Sequence, residues 1–353
     1  MINVLVVDDS QLIRNILAEI LNAEKDINVV GMAEDPLEAR EMIKRLKPDV
    51  ITLDVEMPKM DGVSFLKNLM RLHPMPVVMI STLTEKGTEI TLQALALGAV
   101  DYVAKPSASG TGLVALADEI VSKVRVAACA NIGNARGSSI ATERPPAPGN
   151  FIPKSGFIIA IGASTGGVEA IRDVLMSFPE NCPPVLVVQH IPALFSSSYA
   201  RRIDKECLLK VQEASHMQAL EVGNVYIAPG DQHLTLKRTL SGGLSCVLSE
   251  SDKVSGHRPS VDVLFSSIAR VMGDKCVAAL LTGMGNDGAK GLLQLKRQGC
   301  HTIAQDEASS VVWGMPGVAV SMQAHCEQLP LRKVAAKLLQ KSSRLRSTGV
   351  QAG

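Results

Sequence analysis

The sequence predicts two α/β domains in tandem, the first on a doubly wound, five-stranded parallel sheet and the second on a mainly parallel sheet. Three observations carry this reading. Residues 3–124 alternate short β-branched runs with amphipathic stretches. A second alternating region starts at Phe157. Between them, from about Val126 to Ser155, the pattern collapses into Gly133, Gly137, Ser138, Ser139, Pro145, Pro146, Pro148, Gly149 and Pro153, the composition of a linker.

In the first region the expected strands are Val4–Val7, Val29–Ala33, Val50–Asp54, Val77–Ile80 and Tyr102–Ala104. Between them, residues such as Leu12, Ile13, Ile16, Leu17, Ile20 and Leu21 recur at helical spacing. Strands each followed by a helix predict a parallel sheet covered on both faces. In the second region strands are expected at Phe157–Ile161, Val185–Gln189, Val225–Ala228, Val277–Thr282 and His301–Ala304. Helices are expected at Val168–Met176, Leu292–Gln298 and Leu331–Leu339. The domains are therefore drawn at 1–124 and 156–345, with a linker over 125–155 and a solvated tail over 346–353.

A chain of 353 residues suits two cores rather than one, and 46% apolar with 20% charged residues is ordinary for a globular protein. The net charge of +1 offers no global attraction for nucleic acid or membrane, and 3% aromatics leaves little for base stacking. The 7 cysteines contain no Cys-x-x-Cys pair, so they read as small buried apolar residues in a reducing compartment. No apolar run reaches membrane-span length, and Met1-Ile2-Asn3 leads straight into a strand pattern. A cytoplasmic, monomeric protein is expected.

Two sets of residues carry chemistry. Asp8 and Asp9 follow the first strand and Asp54 ends the third, and these strands are neighbours in a doubly wound sheet. Three carboxylates crowded together call for a cation, and hard oxygen ligands suit Mg²⁺. Lys105 and Ser81 fall at the same rim. Singly, each has a bland explanation as a helix cap or turn. Together, at matching strand ends, they form a site.

The set Val7-Asp8-Asp9-Ser10, Leu53-Asp54-Val55-Glu56-Met57-Pro58, Met60-Asp61-Gly62, Ser81 and Lys105-Pro106 resembles the receiver domain of two-component response regulators, a flavodoxin-like fold. The resemblance implies that Asp54 accepts phosphoryl from a kinase phosphohistidine. It also implies that Asp9 and Asp54 ligate Mg²⁺, with Asp8 holding a coordinating water and Glu56 lending its backbone carbonyl. Ser81 and Lys105 would contact the phosphoryl group, and Tyr102 matches the family's aromatic position.

In the second region, Gly162-Ala163-Ser164-Thr165-Gly166-Gly167 joins a strand to a helix. This stretch reads equally as a nucleophile elbow or as a dinucleotide or phosphate cradle. His190 after Val185–Gln189, and Asp287 after Val277–Thr282, tilt the balance. A serine needs a base, and that base needs an orienting carboxylate. No acidic residue ends the strand at Val185–Gln189, against the dinucleotide reading. His233 and His257 are rivals for the base; Asp231, Asp262 and Asp306 are lesser rivals for the acid.

Ile161–Gly167, Gln189-His190-Ile191-Pro192, Ala228-Pro229-Gly230, His257-Arg258-Pro259-Ser260-Val261-Asp262 and Leu281–Gly288 resemble the chemotaxis protein-glutamate methylesterases. That resemblance implies hydrolysis of glutamate γ-methyl esters on methyl-accepting chemotaxis receptors, with deamidation of receptor glutamines. It implies a Met284 backbone oxyanion donor, a histidine kinase as phosphodonor, and a receiver that covers the Ser164 site until phosphorylated. The alternative is a response regulator whose second domain only binds partners or nucleotides. A DNA-binding regulator is weaker, for lack of a basic helix-turn-helix pattern.

Overall fold

A computed structural model describes residues 1–57, 61–82, 84–105, 116–132 and 151–344. Pro58, Met60 and Pro106 of the motifs above, linker residues 133–150 and the tail over 346–353 lie outside the described residues.

The first domain is a five-stranded parallel sheet in the order β2-β1-β3-β4-β5. Its strands are β1 (Ile2–Val7), β2 (Ile27–Ala33), β3 (Val50–Asp54), β4 (Val77–Thr82) and β5 (Asp101–Lys105). The helices are α1 (Gln11–Asn22), α2 (Pro36–Leu46), α3 (Gly62–Leu72), α4 (Glu85–Ala96) and α5 (Ala117–Ala128). Local chemistry sets their ends. The Asp35 carboxylate accepts from Leu37 N and Glu38 N at 2.9 Å each, Pro36 opens α2, and Lys44 and Arg45 lie in its last turn.

The second domain holds a seven-stranded sheet in the order β14-β13-β12-β6-β7-β9-β8, and every pair in it is parallel. The strands are β6 (Ile158–Ala163), β7 (Val185–Gln189), β8 (Lys210–Glu213), β9 (Asn224–Ile227), β12 (Cys276–Leu280), β13 (His301–Gln305) and β14 (Glu327–Leu329). An antiparallel hairpin, β10 (His233–Arg238) with β11 (Leu244–Ser249), stands apart. The helices are α6 (Gly167–Leu175), α7 (Ala193–Asp204), α8 (Val261–Met272), α9 (Ala289–Arg297), α10 (Met315–Ser321) and α11 (Leu331–Ser342).

The sheet is wider than the expected strands imply. β8 and β14 are short edge strands, Lys-Val-Gln-Glu and Glu-Gln-Leu, without the apolar run that marks a buried strand. The strand expected over Val277–Thr282 ends at Leu280, because Leu281 and Thr282 already turn toward the site.

The central strands β12, β6 and β7 are buried along their whole length. Each fully buried Val, Ile or Leu there contributes about 1.5–3 kcal/mol, so the strand ends that carry the site stand on rigid supports. Cys182, Cys246, Cys276 and Cys300 are buried as expected of small apolar residues, whereas Cys129 and Cys326 are exposed.

Candidate active site

Ser164, His190 and Asp287 follow β6, β7 and β12, three strands adjacent in the sheet. The register pairs Ala163 with Gln189 and Gly162 with Leu280, so the residues leaving these strands emerge side by side. The turn after β6 is sharp. Gly166 has φ +75°, and a Cβ there would lie 2.7 Å from Val311. Ser164 N donates to Thr282 O at 3.0 Å, and its carbonyl accepts from Gly167 N at 2.7 Å, which commits the serine backbone.

Gln189, which sequence reasoning passed over, ties the serine and histidine segments together. Its buried Nε2 donates to Ser164 O at 2.9 Å and to His190 O at 3.2 Å.

Asp287 is 1% exposed and sits at the N-terminus of α8. Its Oδ1 accepts from Ser260 Oγ at 2.7 Å and Asp262 N at 3.1 Å. Its Oδ2 accepts from Val261 N at 2.7 Å and lies 2.9 Å from His190 Nε2. Burial pushes this carboxyl up, but His190, Ser260 and Val261 outweigh it and hold it below the usual range. With the carboxylate accepting at Nε2, His190 Nδ1 is the basic nitrogen, and it is buried without a hydrogen-bond partner among the described residues. The His257 ring stacks on His190 at 3.7 Å and 12°. Burial and the neighbouring His190 push His257 down to about 4, so it stays neutral at pH 7.

Ser164 Oγ lines the same cavity of ≈ 1500 Å³ as His190, His257 and Met284, but no hydrogen bond joins it to His190. A nucleophile–base hydrogen bond commonly forms or tightens only when substrate binds. The Met284 turn is pinned from behind: Gly283 N donates to Val312 O, and Gly283 O accepts from Gly314 N and Met315 N. A Cβ at Gly283 would lie 2.8 Å from Ser164 Cβ, so the turn is packed against the serine.

The rivals have other occupations. His233 bonds Asp252 O and Ser260 N, the Asp262 side chain accepts from Gly291 N, and Asp306 closes a turn on Ser309. Asp231 is exposed.

In the first domain, carboxylate oxygens of Asp8, Asp9 and Asp54 lie within 4.8 Å of one another. Lys105 Nζ is 2.8 Å from Asp8 and 2.9 Å from Asp54. Burial, with Asp8 adding to it against the pull of Lys105, raises Asp54 to about 6. An all-oxygen donor set around one small pocket fits a hard divalent cation. The Glu56 side chain points to solvent. Ser81 Oγ accepts from Thr91 Oγ1 at 2.8 Å.

The two domains meet over the cavity. Tyr102 stacks on Phe195 at 4.6 Å, Thr165 Oγ1 donates to Asp101 Oδ2 at 2.6 Å, and Arg202 donates to Leu92 O at 2.8 Å. Ser122 Oγ contacts Met284 Sδ at 3.6 Å, and Lys123 bridges Asp101 and Glu119. First-domain residues therefore touch Thr165, next to Ser164 in the chain, and Met284 across the cavity.

This architecture defines the class: a receiver domain coupled to an α/β hydrolytic domain. Residues 159–338 match the family model for the CheB methylesterase, and residues 4–117 match that for the response regulator receiver domain. The chain belongs to the protein-glutamate methylesterase/protein-glutamine glutaminase family. It is 53% identical over 341 residues to protein-glutamate methylesterase/protein-glutamine glutaminase 2 of Saccharophagus degradans, covering 96% of this chain and 98% of that one. Protein-glutamate methylesterase/protein-glutamine glutaminase 1 of Caulobacter vibrioides is also 53% identical, over 97% of this chain and 98% of the relative. The crystal structure of the Thermotoga maritima CheB methylesterase catalytic domain superimposes with a TM-score of 0.51 at 40% identity, covering 53% of this chain and 99% of that domain.

Proposed function

We propose that this chain hydrolyses glutamate γ-methyl esters on chemotaxis receptors, releasing methanol, and deamidates receptor glutamines by the same route. The observation that carries the reading is the convergence of Ser164, His190 and Asp287 at three adjacent strand ends, with Asp287 held to His190 Nε2 at 2.9 Å.

In this mechanism Ser164 Oγ attacks the ester carbonyl while His190 Nδ1 takes its proton. Asp287 holds the ring in its reactive tautomer and stabilises the imidazolium. The Met284 N–H faces the developing oxyanion. His190 then gives that proton to the leaving methoxy oxygen, which departs as methanol, or to the amide nitrogen of a glutamine, which departs as ammonia, and water hydrolyses the acyl-enzyme.

The receiver supplies control. Asp54 accepts phosphoryl from a histidine kinase; Asp9, Asp54 and the Glu56 carbonyl would hold Mg²⁺, with Asp8 placed to hold a coordinating water. The cation, when bound, offsets the charge of carboxylates and phosphoryl group. Ser81 and Lys105 would then pair with the phosphoryl oxygens, drawing Ser81 away from Thr91. Tyr102, stacked on Phe195, couples that change to the domain contact. No helix among the described residues is long and apolar enough to cross a membrane.

The test is methanol release from methyl-labelled receptor. Ser164→Ala should lower the rate on the order of 10⁴-fold or more with the fold retained. Near-normal release by that variant would sink the assignment.

A further inference from the structure

We propose that Ser260 is a positioning residue for the hydrolytic reaction, acting on His190 through Asp287. The proposal deepens the Ser164–His190–Asp287 reading and rests on it.

Asp287 has two side-chain donors among the described residues, His190 on Oδ2 and Ser260 on Oδ1. Ser260 is fully buried, so no solvent competes for its hydroxyl. The bland reading makes it merely the cap of α8, and it does accept from Val263 N. That contact is long, 3.4 Å, whereas its bond to Asp287 is 2.7 Å. The helix's first N–H groups, Val261 and Asp262, are capped by Asp287 itself. The hydroxyl proton is thus committed to the carboxylate.

Ser260 is in turn fixed from behind. Its N–H donates to His233 Nδ1 at 3.2 Å, so that nitrogen accepts, and His233 Nε2 donates to Asp252 O at 3.0 Å. His233 is fully buried as well. A neutral imidazole of defined tautomer therefore anchors the serine that anchors the acid. The same segment carries His257, whose ring lies on His190, so residues 257–260 touch both members of the His–Asp pair. Asp262 from α8, Lys253 from the preceding loop, Lys123 from the first domain and, beside Asp262, Lys290 from α9 are the other charged groups around them.

The hydroxyl does two things. It stops the carboxylate from rotating, which keeps Oδ2 toward His190 Nε2. It also shares the carboxylate's charge, which tempers how tightly His190 holds its proton.

The experiment uses the full chain with acetyl phosphate and Mg²⁺, and a peptide bearing a glutamate γ-methyl ester as probe. The pH dependence of kcat/KM is measured for native enzyme, Ser260→Ala, Ser260→Gly, Ser260→Thr and Ser164→Ala, with thermal melts alongside. Glycine removes the hydroxyl but is itself tolerated as a helix cap, so it separates capping from positioning and covers a poorly folding alanine variant. The two hydroxyl-less variants should lose about ten- to a hundred-fold in kcat/KM, the range for a hydrogen bond to a charged group. Their acidic limb should move to higher pH, and Ser260→Thr should restore both rate and limb. A folded Ser260→Gly whose acidic limb stays at the native pH would overturn the proposal, whatever its rate. If Ser164→Ala remained active, the triad reading itself would fall. If Ser164→Ala were inactive and the Ser260 variants kept the native profile, only the role of Ser260 would be lost.

Discussion

The two sites of this molecule bury an aspartate at the same place in the fold, beyond the carboxyl end of a central parallel strand, and treat it oppositely. Asp54 is 5% exposed beside Asp8, and its carboxyl rises to about 6 although Lys105 pulls it down. Asp287 is 1% exposed, yet its carboxyl is held below the usual range by His190, Ser260 and the α8 N-terminus. Burial raises both carboxyls, and the donors decide the outcome. Donors aimed at both oxygens of Asp287 outweigh burial and keep it an anion, whereas at Asp54 the pull of Lys105 does not offset burial and the neighbouring Asp8. One acid is built to stay as it is and the other to change.

The largest test of that contrast swaps each acid for its amide. Asp287→Asn should lower methanol release on the order of 10⁴-fold by favouring the wrong histidine tautomer. Asp54→Asn should leave unstimulated release unchanged and remove only the response to a phosphodonor. Equal losses in the two variants would erase the distinction.

Stability sharpens it next. Asp54 has a raised folded pKa, so its contribution is fully present below 3.8 and lost as pH rises through about 6. Asp287 has a lowered one, so its contribution is present above 3.8 and lost as pH falls through the folded value. In chelator at pH 7.5, Asp54→Asn should thus stabilise the receiver by about 3 kcal/mol. Asp287→Asn should destabilise the second domain by about 3 kcal/mol or more. Urea melts of each domain read the two signs; the Asp54 difference should shrink as pH falls from about 6 toward 4, and the Asp287 difference only below 3.8. Two shifts of the same sign would contradict the electrostatic account.

Metal removal divides the sites as well. Excess chelator should abolish phosphoryl labelling of Asp54 and leave methanol release by an activated enzyme untouched; a parallel loss of both would place a cation in the hydrolytic step.

The smallest effect concerns the join. Asp101→Ala removes the acceptor of Thr165 Oγ1 and a partner of Lys123. A hydrogen bond to a charged group is worth about 1.5–3 kcal/mol, so weakening this domain contact should raise unphosphorylated activity several-fold. A drop instead would make the receiver contact an aid to catalysis.

Much of this was legible in the sequence. β3 and β7 fall where their β-branched runs end, and the glycine-bracketed Ser164 lies at a strand end because only such a turn fits Gly162–Gly167. The edge strands β8 and β14 were not legible, since an edge needs no apolar run. The sequence favoured His190 from its strand end but left His233 and His257 as rivals, because local pattern does not fix which ring packs against Asp287.

By itself the sequence determined the domain order, the sheet types and the residues able to do chemistry, since periodicity, turn glycines and residue type are local properties. Only the tertiary structure decided which histidine meets Asp287, that Ser260 and Gln189 hold the pair in place, and that Asp101 reaches Thr165. Those contacts join residues 25 to 97 positions apart, or 64 across the two domains, and only packing brings such residues within hydrogen-bond distance.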